Sequence, residues 1–331
     1  MEVNIGKMTY ALELLTETGL VYDLSPAVIS MEWEESAGEL SQRGTFMLAN
    51  SALGDTWLHA VAKIGCIILV YSDWGEGKTL VYQGKIWEWS YSSGGNKEIV
   101  LITYDYGKFL LQSSESYYFS SGMGTKDMID RIAGDWGVSV NYQWGQTMTH
   151  EKKVFQGHKI GDIILSLVEE VSAHCEETAV CLWKEEALSI LPQGHNDFVF
   201  ELDFYRVIST RDKISVNDMV TQVQVVGTAE DEGRTLVEAV VEGNQDFALL
   251  QTTLLRDSDK SLEDAIAEAK TYLSEHGSPQ EEIVVVAVDL PFLRKGEKVK
   301  ICAGNLIGEF YVLGVCHHGT VKQMSLTLER C

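Results

Sequence analysis

Three runs decide the fold: GCIILVY at residues 65–71, YQGKIWEW at 82–89 and EIVLITYD at 98–105. Gly65 opens the first run and Gly84 stands in the second. Ser92-Ser93-Gly94-Gly95-Asn96 forms a polar turn before the third. Extended apolar runs separated by glycine and polar turns predict an antiparallel meander. The same order returns near the C-terminus as GEKVKI from Gly296, IGEFYVLGV around Gly308, a His318-Gly319 turn, and VKQMSLTLE ending at Glu329. In the last run Met324, Leu326 and Leu328 are expected on one face and Gln323, Ser325 and Thr327 on the other. Residue identity between the copies is low, so the echo is read either as an internal duplication or as two ordinary meanders.

Length and composition bound what surrounds these runs. A chain of 331 residues exceeds what one core usually fills, and 45% hydrophobic content with eight tryptophans supplies core material for two or more domains. The start, Met1-Glu2-Val3-Asn4, lacks a basic region and apolar core, so no signal peptide is expected. The apolar stretches Ile67–Tyr71 and Ile283–Val288 are too short to cross a bilayer, and no stable membrane insertion is expected. With 26 basic against 49 acidic residues, the formal net charge of −23 argues against specific nucleic-acid binding and against anionic membranes. Either solubility or a surface that repels polyanions accounts for the acidity.

The flanking sequence sorts into three parts. Residues 1–110 read as a β-barrel domain, with early strands over Val21–Trp33 and Gly44–Ala49. Residues 111–200 read as a small α+β domain. There Thr125 caps a helix over Lys126–Trp136, a second helix covers Asp162–His174, and strands follow at Thr178–Trp183 and Ala187–Leu191. Residues 201–331 read as a second β-barrel domain, including a strand at Val220–Gly227 and interrupted by a helical insertion at about 243–281. Ser261 and Asp264 form a capping-box pattern for that helix, and Gly277 with Pro279 stops it. The fold class is thus mainly β with α+β insertions.

Chemistry is sparse. The paired carboxylates Glu34-Glu35, Glu169-Glu170, Glu176-Glu177, Glu185-Glu186 and Glu281-Glu282 are sequence neighbours, which point apart and read as solvated faces rather than a glycosidase pair. Gly75 and Gly77 precede Lys78 without the spacing of a phosphate loop and read as a hairpin turn, and Gly122-Met123-Gly124 reads as a helix entry. No G-x-S-x-G elbow raises a serine. Trp87 and Trp89, two apart on one strand, are expected to share a face, as barrel core or subunit interface rather than a sugar platform. Six cysteines at 66, 175, 181, 302, 316 and 331 show no framework spacing; Cys66 and Cys302 read as buried thiols. His174, Cys175 and Cys181 with Cys316, His317 and His318 are the conceivable metal ligands, but without tight-turn spacing no metal is expected, and His317-His318 reads as an exposed turn. No catalytic residue and no cofactor is assigned.

Taken in order, Val81–Ile86, Ile99–Tyr106, Tyr117-Tyr118-Phe119, the Thr125 helix and Asp135–Val138 resemble the XkdQ/YqbQ-like family of prophage tail proteins, the baseplate hubs of contractile phage tails and phage-tail-like bacteriocins. The C-terminal stretches Asp264–Ala269, Arg294–Val299, Phe310–Val312, His317-His318 and Met324–Leu328 are similar to the end of those hubs. Gly84, Tyr104, Asp105, Gly296, Phe310, Tyr311 and Met324 are structural positions of that pattern. The resemblance implies a homotrimer with two tube-protein-like β-barrels per chain, bound to a tail tube protein, a spike protein and other baseplate proteins. It implies synthesis in a bacterial cytoplasm and assembly into a phage tail or tail-like particle. The function expected is a non-enzymatic hub adapting a sixfold tube to a threefold spike; the competing reading is a tail-associated peptidoglycan hydrolase, for which no stretch of chain is left over.

Overall fold

The computed structural model describes residues 7–75, 77–95, 97–175, 177–227, 236–258 and 260–331. Met1–Asn4, Asn96 of the first turn and Glu176 of one carboxylate pair lie outside them. The chain forms two compact units, one of Met1–Thr210 with Val284–Cys331 and the other of Arg211–Ile283.

Within the larger unit the first meander is built from Ile67–Asp73, Thr79–Tyr91 and Glu98–Tyr104, each antiparallel to the next. Ile68, Val70, Tyr82, Ile86, Ile99 and Leu101 point to one face and pack with Trp33, Phe46 and Leu48 in a shared core. Full burial of each aliphatic side chain contributes about 1.5–3 kcal/mol, which fixes the strand register. Thr9–Leu15 flanks the first meander strand, while Arg43–Ala49 and then Val28–Glu35 flank the third. The second meander consists of Lys298–Ala303, Leu306–His318 and Gln323–Arg330. Phe200–Asp203 flanks its first strand, and Gln280–Val288 and then Val207–Ser215 flank its third.

Chain order and sheet order are therefore the same in both halves, strand for strand. Both central strands run 13 residues and carry a bulge in the pairing with the third strand, at Trp87 and at Leu313. The halves differ at their edges: Thr9–Leu15 is antiparallel to its meander neighbour and carries Val21–Asp23 outside it, whereas Phe200–Asp203 is parallel to its own. In the last strand Met324, Leu326 and Leu328 are buried, with Gln323, Ser325 and Thr327 on the outer face.

The two half-sheets join where Val28–Glu35 pairs antiparallel with the end of the second central strand, from Val315 opposite Glu35 to His318 opposite Glu32. All these strands, with Val21–Asp23, belong to one 13-stranded sheet, and no closed barrel is formed by hydrogen-bonded strands among the described residues. The bulge corrects the tryptophan reading. Tyr82, Gly84 and Ile86 face inward, but the extra residue at Trp87 reverses the phase, so Trp87 is exposed while Trp89 and Tyr91 pack on the core.

In the chain, an α+β region follows the first meander and precedes the second half-sheet. Helices Thr125–Asp135 and Ile160–Ser172 bury Met128, Ile129, Ile132, Ile164, Leu167 and Val168 against one another and against Leu188 and Ile190. Ala187–Pro192 pairs parallel with Ser139–Tyr142 and antiparallel with Ala179–Lys184. Thr125 is not the cap: Gly124 holds that position, and the fully buried Thr125 hydroxyl instead meets His150 Nε2 at 2.8 Å and the Met148 carbonyl at 3.2 Å.

The smaller unit has its own sheet, with Gln222–Val226 between Val237–Glu242 and Gln251–Leu255. The helix Leu262–His276 starts at Ser261, whose Oγ accepts from Asp264 N at 3.1 Å. Gln222–Val226 does not enter the large sheet, where the sequence reading put it. Its inward Val223 and Val225 cover Ala265 and Ala269 of the helix, a pairing that pattern alone does not reveal.

Candidate functional site

The most chemically loaded region is a buried charge cluster beneath a cleft in the larger unit. Glu35 ends the Val28–Glu35 strand with its side chain inside. Arg294 forks onto it, Nη2 to Oε1 at 2.6 Å and Nε to Oε2 at 2.7 Å, and also donates to the Trp183 carbonyl at 3.0 Å. Lys295 donates its backbone N–H to Glu35 at 3.2 Å and turns its ammonium to the carbonyls of Ser36 and Glu39. Burial alone would raise the Glu35 carboxyl, but Arg294 and Lys295 outweigh it and hold the group below the ordinary carboxylate range. Burial lowers Lys295, with Glu35 opposing.

Asp105 sits alongside, following the third meander strand. It accepts from Ser41 Oγ at 2.8 Å, Gln42 N at 2.9 Å and Gly107 N at 2.9 Å. Burial nonetheless pushes its carboxyl up to about 7, with Glu35 adding to the rise against those donors. Gln42, Tyr82, Asp105, Tyr106, Trp183 and Arg294 border an open cleft of 740 Å³. At its rim, Glu185 and Glu186 form the two-residue turn joining Ala179–Lys184 to Ala187–Pro192, both with positive φ (51° and 61°). Asp105 and Arg294, which border this cleft, are each tied to protein partners, and the cluster joins the first half-sheet, the α+β region and the C-terminal segment.

The other family-pattern residues have structural surroundings. Gly84 lies where a Cβ would collide with the Tyr82 ring, whose hydroxyl meets Thr103 Oγ1 at 2.6 Å. Gly296, at φ 79°, leaves the same kind of room for Val180. Tyr104 stacks edge-on with Trp87, Phe310 and Met324 are buried in the second half-sheet, and Tyr311 lies under the Lys298 ammonium. Asp105 alone of the seven joins the charge cluster.

His317 is not at a turn. The strand runs through it, its side chain is 1% exposed, Nδ1 faces Asp289 Oδ1 at 2.6 Å, and Nε2 faces the Leu293 carbonyl at 3.0 Å. Tyr10 donates to the other Asp289 oxygen at 2.5 Å, and burial drives its hydroxyl pKa far upward. Histidine and aspartate are thus arranged as in a catalytic pair, but both ring nitrogens are engaged and the pair is sealed from solvent. His318 emerges on the opposite face, with Nδ1 at 3.2 Å from Glu32 Oε1. Cys316 shares that face, its thiol pushed up to about 12 by burial and then by Glu34, Glu32 and Asp289. Glu32 was invisible as a partner in the sequence, because only strand pairing brings it there.

All six cysteines are free, and Cys302 is half-buried rather than buried. His174 and Cys175 bond to the carbonyls of Glu170 and Glu177. Gly75 and Gly77 both donate to Asp73 Oδ1, consistent with a hairpin turn. No helix among the described residues is long and apolar enough to cross a membrane.

Residues 31–329 match the family model described as YQBQ-like. Among solved structures, the tail protein from Neisseria meningitidis MC58 is similar with a TM-score of 0.66 at 14% identity, covering 97% of this chain and 96% of that one. The 43 kDa tail protein of prophage MuSo2 from Shewanella oneidensis gives 0.65 at 12% identity, covering 97% and 98%. The E. coli c3393 protein, described as a type VI secretion component with structural similarity to the T4 bacteriophage tail proteins gp27 and gp5, gives 0.56 at 11% identity, covering 92% and 74%. At these identities the likeness is one of fold. No curated protein sequence matches.

Proposed function

Because the chain belongs to the YQBQ-like family, we propose that it is the structural hub of a contractile phage tail or tail-like particle, adapting a sixfold tail tube to a threefold spike. The observation that carries this reading is the repeated strand order of the two half-sheets in one chain. Each half-sheet is the counterpart of one tube-protein-like barrel. Three chains arranged in a ring then offer six similar half-sheets to a hexameric tube, while the ring keeps true threefold symmetry for a trimeric spike. The fold shared with tail proteins supports the same assignment.

In this role the cluster around Glu35, Arg294 and Asp105 is a fastening, and no bond of a substrate is made or broken. The acidic surplus lines the channel and keeps an exiting polyanion from sticking. The partners are two further copies of the chain, the tube protein, the spike and other baseplate proteins. Sedimentation of the purified chain with and without the tube protein tests the proposal: a species of three chains that binds the tube supports it. A chain that stays monomeric with the tube protein present counts against it.

A further inference from the structure

We propose that Glu32, Cys316 and His318 form a binding site for one zinc-like divalent cation at the seam between the two half-sheets. The ligand atoms of these three side chains lie within 4.8 Å of one another. Glu32 comes from the last strand of the first half, Cys316 and His318 from the central strand of the second, and the register sets His318 directly opposite Glu32. Cys316 and His318, two apart, project to the same face, so all three converge on one point outside the seam. The 3.2 Å between His318 Nδ1 and Glu32 Oε1 is already close to the roughly 3.4 Å edge of a tetrahedron with bonds near 2.1 Å.

The donor set selects the ion. One sulfur and one imidazole nitrogen suit zinc or cobalt and are poor ligands for calcium or magnesium. A thiolate and a carboxylate together balance a doubly charged cation, with His318 neutral and a fourth position open to water. Metal binding displaces the thiol proton of Cys316 to solvent. The surroundings add negative charge: Glu34 stands opposite Cys316, where it also pairs with Arg43 at 3.2 Å. Cysteine spacing argues against a metal only because it cannot see Glu32. The bound ion would cross-link a ladder that spans just the pairs from Val315–Glu35 to His318–Glu32.

The test uses the full chain, stripped with chelator and titrated with cobalt, then competed with zinc. The expected result is one cobalt per chain, a thiolate-to-cobalt charge-transfer band, and a rise in melting temperature on binding. C316S abolishes the band. H318A and E32Q weaken binding by at least about 100-fold, the upper end of what loss of an outer-shell partner already costs. E32Q alters an exposed side chain, which keeps the test informative if a strand variant misfolds. C175S, remote from the seam, leaves the titration unchanged. Absence of a stoichiometric band, or a band that survives C316S or disappears with C175S, overturns the proposal.

Discussion

Trp33 and His317 oppose each other across the seam of the two half-sheets, their rings stacked with centroids 4.9 Å apart and planes 15° from parallel. Trp33 belongs to the first half and His317 to the second, and His317 is held in turn by Asp289, which also accepts from Tyr10 of the first half. Apolar stacking and a buried polar chain thus cross the same joint. Trp33→Ala is expected to cost about 3–5 kcal/mol, as loss of a fully buried large aromatic does. Urea unfolding of the variant checks this, and a loss below about 1 kcal/mol would show that the seam is not a point of stability.

Removing either partner of the Glu35–Arg294 fork leaves a charge with little solvent access. Each of Glu35→Leu and Arg294→Met is expected to destabilise by about 3 kcal/mol, and the double variant by less than either single one, because no charge is then stranded. Chemical denaturation of the four proteins supplies the cycle. Additive losses would contradict the pairing.

Two carboxyls of the cluster titrate in opposite senses. Asp105, pushed up to about 7 in the folded chain from an ordinary 3.8, holds a proton that the unfolded chain has released. Its stabilising contribution is complete below about pH 4 and is lost as the pH rises through about 7. Glu35 lies below its ordinary 4.5, so its contribution is present above that value and disappears as the pH falls through the depressed folded one. Between pH 5 and 8 the urea midpoint should therefore drop more in the native protein than in Asp105→Asn. Parallel profiles would refute the Asp105 assignment.

Much of this architecture is legible in the sequence, and the failures have identifiable causes. Glycine-bounded apolar runs specify both meanders, and helical periodicity specifies Ile160–Ser172, because burial of one face writes itself into spacing. His317 was misplaced because its partners, Trp33 on another strand and Asp289 just past the end of one, leave no local mark. Trp87 escaped because a bulge changes phase without changing composition. Val220–Gly227 read as a strand of the second barrel domain because an apolar strand face does not say what covers it, and its Val223 and Val225 in fact cover the helix. The charge cluster was hidden for the same reason: Glu35 looks like one half of an exposed acidic pair until Arg294 is folded against it.

Gly296 combines a left-handed backbone with contact to Val180. Gly296→Ala is expected to cost about 1–3 kcal/mol, since strain in φ adds to the collision. Adding Val180→Ala should recover the steric part only. Full recovery, or none, in thermal unfolding would show that one of the two terms is absent.

The hub proposal is tested most directly by electron microscopy of the assembled particle at the junction of tube and spike. The proposal predicts three copies of this chain in a ring, their six half-sheets spaced nearly evenly around a channel with a net negative wall. Screening over about 8 Å at physiological salt makes repulsion across a pore several times wider small, so the ring is compatible with a charge of −23 per chain. A ring of another copy number, or a basic channel wall, would contradict it.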